Sequence, residues 1–297
     1  MKKNYLLAVA SFNSEKQKLF NEIISFRNKE YCKINNFEYI EIVDNIQPIR
    51  GKLHWTKMFK AAELVNNVLN ENDGLVYIDA DALIVKKSQN LLPPQGKSFA
   101  YCIDTANTHN TGFFSLIKNE WSTKFMNLLI DEDRYLELVN VQTFHEKRKK
   151  YSSFWEDLND QASLYSLAGI KRHSDVSFWE LPNYGWHTDF DKWTMYSLEE
   201  LHSNVHIFPS TFNVTELHGE TGCRLYINKV KYSEVVIRHF AGGQKWRKVW
   251  LKYPNSFYFK LQAINLFKNV KFYKINDFFH KLKGFINQKF RLQSIKN

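Results

Sequence analysis

The run Leu75-Val76-Tyr77-Ile78 is uninterruptedly apolar and ends in Asp79-Ala80-Asp81. Bounded on its other side by the turn signal Asn72-Asp73-Gly74, it reads as a short buried strand. In α/β proteins the crevice outside such strand ends is where ligands bind. Two carboxylates two residues apart, just past the strand, therefore suit a ligand site at the edge of an α/β sheet.

The surrounding sequence agrees with that architecture. Tyr5–Ala10 and Phe37–Val43 read as strands, and Ser14–Asn35 carries Leu19, Ile23, Phe26 and Tyr31 at helical spacing between them. Lys57–Leu69 is a second helix, with Met58, Ala61, Ala62, Val65, Val68 and Leu69 on one side. Strand, helix, strand, helix, strand is the signature of a βαβ-type sheet. Further strands are expected at Phe99–Ile103, Gly112–Ile117, Val205–Phe208 and Val235–His239, and helices at Trp121–Ile130 and Asp160–Ala168. Residues 131–156, with the run Lys147-Arg148-Lys149-Lys150, and residues 182–203 read as irregular.

Charge sharpens the organisation. The chain has 297 residues, a net charge of +10, and 44% hydrophobic and 16% aromatic residues, enough for a substantial core. Residues 245–297 hold thirteen Lys or Arg against the single acid Asp277, so the rest is slightly acidic. This pattern excludes a protein wrapped around nucleic acid and describes a near-neutral body with a basic tail. The body is expected to be one domain over 1–250, and the tail to span 251–297. Within Lys271–Lys289, Phe272, Ile275, Phe278, Phe279, Leu282, Phe285 and Ile286 recur every three or four residues among lysines. That is the pattern of an amphipathic helix, suited to an anionic membrane surface or to packing on the body. Three dispersed cysteines, Cys32, Cys102 and Cys223, form no disulfide framework and fit a reducing cytoplasm. The apolar stretch at Leu6–Ala10 is too short for a signal peptide, and no apolar run reaches the roughly 20 residues of a membrane span.

The chemistry gathers at strand ends. Hard oxygen ligands at Asp79 and Asp81 suit Mg²⁺ or Mn²⁺ on a diphosphate, and an imidazole from His239 favours Mn²⁺. The other Asp-x-Asp triplets, Asp131/Asp133 and Asp189/Asp191, follow no apolar strand and read as surface loops. Asn110-Thr111-Gly112 is by itself a turn feeding a strand, and Asn159 a helix cap.

The order of these segments adds more than any one of them. Ile78-Asp-Ala-Asp81, Asn110-Thr-Gly-Phe-Phe114, Asn159-Asp-Gln-Ala-Ser163, Phe208-Pro-Ser-Thr-Phe-Asn213 and Arg238-His-Phe-Ala-Gly-Gly243, with Asn28-Lys29, Tyr31 and His54-Trp-Thr-Lys57 before them, resemble the GT-A nucleotide-sugar transferases. The resemblance is closest to the retaining α-galactosyl/α-xylosyltransferases of glycosyltransferase family 34 and spans Tyr5 to Lys248.

It implies a mixed, Rossmann-like α/β sheet flanked by helices, with a donor-binding part at about 1–118 and an acceptor part at about 119–250. It also implies that Asp79, Asp81 and His239 hold Mn²⁺ (or Mg²⁺) on a UDP-sugar. Ala10, Ser11 and Phe12 would lie against uracil and ribose. Trp55, Lys57 and Ala80 belong to the donor-binding set, with Gly242 and Lys245 near the phosphates. Asn110, Thr111 and Gly112 would line the sugar pocket, and Asp160 and Gln161 would face the anomeric carbon and the acceptor hydroxyl. Trp186 and His187 suit the acceptor glycan or glycolipid, or a loop.

The expected activity is metal-dependent transfer of a hexosyl or pentosyl group from a UDP-sugar, with retention, at the inner face of a cytoplasmic membrane, as in lipooligosaccharide or capsule synthesis. A sugar nucleotidyltransferase would place a glycine-rich basic signature after the first strand, where Ser11-Phe12-Asn13-Ser14-Glu15 has none. A non-catalytic membrane-surface scaffold would have no need of Asp79, Asp81 and His239.

Overall fold

The computed structural model describes residues 2–10, 20–43, 46, 48–51, 53–105, 109–136, 160–167, 196–215, 230 and 234–239. The basic tail lies outside these residues, as do Ser11, Phe12, the Lys147–Lys150 run, Asn159, Trp186, His187, Asp189, Asp191, Gly242 and Lys245.

A six-stranded sheet forms the frame. Its strands are β1 (Asn4–Val9), β2 (Glu38–Ile42), β3 (Gly74–Ile78), β5 (Phe99–Ile103), β6 (His109–Ile117) and β7 (Val205–Phe208), in the order β2-β1-β3-β6-β5-β7. All run parallel except β6, which is antiparallel to both β3 and β5. A separate two-stranded sheet pairs β4 (Ala82–Ile84) with β8 (Ile237–His239). The helices are α1 (Phe26–Asn35), α2 (Leu53–Asn67), α3 (Glu120–Leu129), α4 (Asp160–Leu167) and α5 (Leu198–Asn204). This is the mixed α/β architecture expected from the sequence.

Right-handed crossovers explain the layering. The chain passes from β1 out to β2 through α1, then back across β1 to β3 through α2, so the two helices cover opposite faces. The face under α2 holds the main core. Tyr5, Leu7 and Val9 of β1, Leu75 and Tyr77 of β3, Tyr101 of β5 and Phe114 and Leu116 of β6 alternate toward it, as the two-residue strand period requires. Met58, Ala61, Ala62 and Val65 of α2, Phe125 and Leu129 of α3, and Leu164 of α4 close it from above.

Several boundaries differ from expectation, each for a local reason. The first helix is not continuous: Phe20–Ser25 is a π-helical turn before α1 begins. Helix α2 starts at Leu53, four residues early, after Arg50 takes a left-handed backbone (φ 53°) and its guanidinium stacks on Trp55 and Tyr135. Residues 132–136, expected as loop, form a helical turn, and Asp131 Oδ1 accepts from Arg134 N at 2.9 Å. Strand β4 and helix α5 were not anticipated. The first has three residues, and the second has seven, started by the Ser197 side chain capping Glu200 N. Among the described residues no helix is long and apolar enough to cross a membrane.

Candidate active site

The Asp-x-Asp element is a turn with a strand on either side. Ala82 N donates to Asp79 O at 2.9 Å, so Asp79 to Ala82 reverse the chain from β3 into β4. In the small sheet Ala82 lies opposite His239, which places the imidazole across from the turn that carries both aspartates. The result is a three-residue cluster. His239 Nε2 lies 3.2 Å from Asp81 Oδ1 and 3.6 Å from Asp79 Oδ2, and one ligand atom from each residue falls within 4.8 Å of the others.

The imidazole is held from behind. His239 N donates to Val214 O, and Nδ1 lies 2.7 Å from Asn213 Oδ1. Because a carboxamide oxygen accepts, Nδ1 carries the proton and Nε2 is the atom turned to the carboxylates. Gly112 makes room for the ring: a Cβ there would lie 2.5 Å from His239 Cε1 and 2.9 Å from Nδ1. Burial alone would lower the His239 pKa, but Asp81 and then Asp79 outweigh it, and the pKa is raised. The pocket thus favours positive charge at Nε2. Two carboxylates and one imidazole nitrogen converging there form a donor set that fits Mn²⁺ or a similar divalent ion.

A second charge cluster backs the first. Lys57, in the second turn of α2, is buried and sends Nζ to Asp79 Oδ1 (3.1 Å), Thr111 O (3.1 Å) and Asp160 Oδ2 (3.2 Å). The contact with Asp160 is an ion pair by distance, without the alignment of a hydrogen bond. Burial alone would lower the lysine pKa, but Asp160 and Asp79 more than reverse that. Lys57 therefore stays charged, and it joins the metal-type site to the N-terminus of α4. Tyr77 adds a second donor to this corner, its hydroxyl 2.6 Å from Asp79 Oδ1.

The structure brings together most of the described residues singled out in the sequence. The register of β3 with β6 pairs Ile78 with Phe113, and Asp79 N donates to Gly112 O at 2.8 Å. Asn110-Thr111-Gly112 therefore runs beside the Asp-x-Asp turn. Asn110 Oδ1 accepts from Gly112 N, Thr111 offers its carbonyl to Lys57, and Ala80 sits half-buried in the turn itself. Ala10 closes β1, bonded through its amide to Ile42 O. Asp160 is buried against Lys57, and Gln161 beside it is half-buried.

Trp55 is placed differently. It is 1% exposed, edge-on to Tyr135 and under the Arg50 guanidinium, which gives it a packing role at the base of α2. Three participants escaped the sequence reading. Tyr77 was read only as strand, Asn213 only as part of a segment pattern, and Gly112 as pocket lining instead of the seat of His239. Only the i, i+2 spacing of Tyr77 and Asp79 could have signalled one of them.

No protein-family model and no curated protein matches the sequence. Comparison with solved structures finds glycosyltransferases. One is a glycosyltransferase involved in the glycosylation of the major capsid of PBCV-1, at 10% identity over 84% of this chain and 98% of that one, TM-score 0.46. Another is the glycosyltransferase GlyE of Streptococcus pneumoniae, at 10% identity over 95% and 64%, TM-score 0.35. A third is the galactosyltransferase LgtC in complex with donor and acceptor sugar analogs, at 10% identity over 81% and 87%, TM-score 0.33.

Proposed function

We propose that the protein is a metal-dependent glycosyltransferase that moves a sugar from a UDP-sugar to a hydroxyl of a glycan or lipid-linked oligosaccharide. One observation carries this reading. Asp79, Asp81 and His239, assigned to one cation site by sequence resemblance although up to 160 positions apart, lie within 4.8 Å of one another. Their place outside the end of β3 is where an α/β sheet takes a ligand.

A bound divalent cation supplies positive charge that offsets the charge building on a departing diphosphate. The chain's residues do the remaining work. Asp79 and Asp81 offer oxygen and His239 offers Nε2. Lys57 sets its buried ammonium against both Asp79 and Asp160 and so holds the two carboxylates on one side of the site. Asp160, held in that pair, acts as a fixed negative charge toward a cation-like sugar instead of as a free nucleophile. Gln161 orients the acceptor hydroxyl, and transfer proceeds with retention. The basic tail places the protein on the inner face of a cytoplasmic membrane, where a lipid-linked acceptor is found.

A panel of UDP-sugars assayed for Mn²⁺-dependent UDP release tests the activity and identifies the donor. Asp81→Ala is expected to abolish release, and full turnover by that variant ends the site assignment. Flotation of the full chain with anionic but not neutral vesicles, reversed by high salt, tests the membrane reading. Equal recovery with both vesicles refutes it.

A further inference from the structure

Tyr77 lies on β3 and Asp79 is the first residue past its end, two positions on, so the strand period turns both side chains toward the same face. The Tyr77 ring is fully buried and stacked on Phe114, centroids 4.9 Å apart and planes 19° from parallel. That brace fixes the direction of the hydroxyl, which donates to Asp79 Oδ1 at 2.6 Å. The Lys57 ammonium donates to the same oxygen at 3.1 Å. A carboxylate oxygen has two lone pairs, and Oδ1 carries a donor on each. Oδ2 is the oxygen on the His239 side, 3.6 Å from Nε2.

We infer that Tyr77 is a positioning residue of the cation site: with Lys57 it occupies Oδ1 of Asp79, leaving Oδ2 as the one oxygen this carboxylate offers to an ion shared with Asp81 and His239. The inference rests on reading that cluster as a cation site and adds a rule about which cation it takes. A single-oxygen carboxylate suits a small octahedral ion such as Mn²⁺ or Mg²⁺. Ca²⁺ takes 6–8 oxygens and readily uses both oxygens of a carboxylate. Removing the Tyr77 hydroxyl leaves Lys57 as the remaining donor, frees one lone pair on Oδ1 and lets the carboxylate turn toward two-oxygen binding.

The test is Mn²⁺ binding by the full chain, followed by electron paramagnetic resonance, with Ca²⁺ as competitor. Tyr77→Phe keeps the ring stack and removes the hydroxyl. It is expected to weaken Mn²⁺ binding about 10- to 100-fold, the usual range for a lost supporting hydrogen bond at a metal ligand. Ca²⁺ should compete better against the remaining Mn²⁺ than it does in the unsubstituted protein. Wild-type Mn²⁺ affinity and wild-type Ca²⁺ competition in Tyr77→Phe overturn the inference alone. Absence of Mn²⁺ binding by the unsubstituted protein removes the cation reading and the inference with it. If Tyr77→Phe does not fold, Phe114→Leu keeps the hydroxyl but removes its brace, and unchanged Mn²⁺ affinity there overturns the inference.

Discussion

Strand β3 has a buried or half-buried aspartate at each end, and the two are held in opposite ways. At its start Asp73 is enclosed by backbone: Oδ1 accepts from Lys3 N at 2.7 Å and Oδ2 from Asn70 N at 2.8 Å. At its end Asp79 is held by side chains, from Lys57 and Tyr77, and faces a third, His239. Backbone amides belong to the local fold and tie this carboxylate to the turn it closes. Side chains from α2, β3 and β8 meeting on one carboxylate create charge that local folding does not require. The contrast separates an acid that closes a turn from one that faces two further metal-ligating side chains.

The two ends should therefore fail differently when altered. Asp81→Ala, in the turn that Asp79 opens, is expected to lower UDP release by about 10²–10³-fold or more, measured as kcat/KM with saturating Mn²⁺. The melting temperature should be nearly unchanged, and a collapse in Tm would break the comparison. Gly112→Ala acts on the same end through shape alone, since its added Cβ would lie 2.5 Å from His239 Cε1. The ring must move, and Mn²⁺ affinity read by calorimetry should fall about 10- to 100-fold; unchanged affinity would show that the ring is not seated there.

At the other end, Asp73→Ala leaves the Lys3 and Asn70 amides without their acceptor. A loss of about 1–3 kcal/mol in urea unfolding is expected, with Mn²⁺ affinity unaffected.

The smallest effect is on pH dependence. Burial alone would raise the Asp73 carboxyl, but the Lys3 and Asn70 hydrogen bonds outweigh it, and its pKa is held below the ordinary carboxylate value. Its stabilising contribution is thus full above the unfolded-state pKa of about 4 and is lost as pH falls through the lower folded-state value. Asp73→Asn should flatten that acid limb of the stability curve and leave the neutral range alone.

The sheet and the cation ligands were legible because each rests on a local signal. Apolar runs set β1, β3, β5 and β6, and the end of an apolar run marked Asp79 and Asp81. What remained hidden depends on distant pairing. Nothing around Ala82–Ile84 announces a strand, because its partner, Ile237–His239, lies more than 150 residues away. Lys57 and Asp160 were each singled out, but their meeting at 3.2 Å is set by how α2 and α4 share the core, which no spacing encodes. The packing of Trp55 was hidden for the same reason: a large aromatic ring suits stacking on a ligand or on a neighbouring cation equally well, and the Arg50 guanidinium lies over it.

The pairing of β4 with β8 also has a consequence in time. A polypeptide leaving the ribosome N-terminus first carries Asp79 and Asp81 into solution long before His239 exists, and folding of the early βαβ units does not need it. No nascent chain that stops short of His239 can hold all three groups of the cluster. The last strand among the described residues is thus also the one that completes the ligand set.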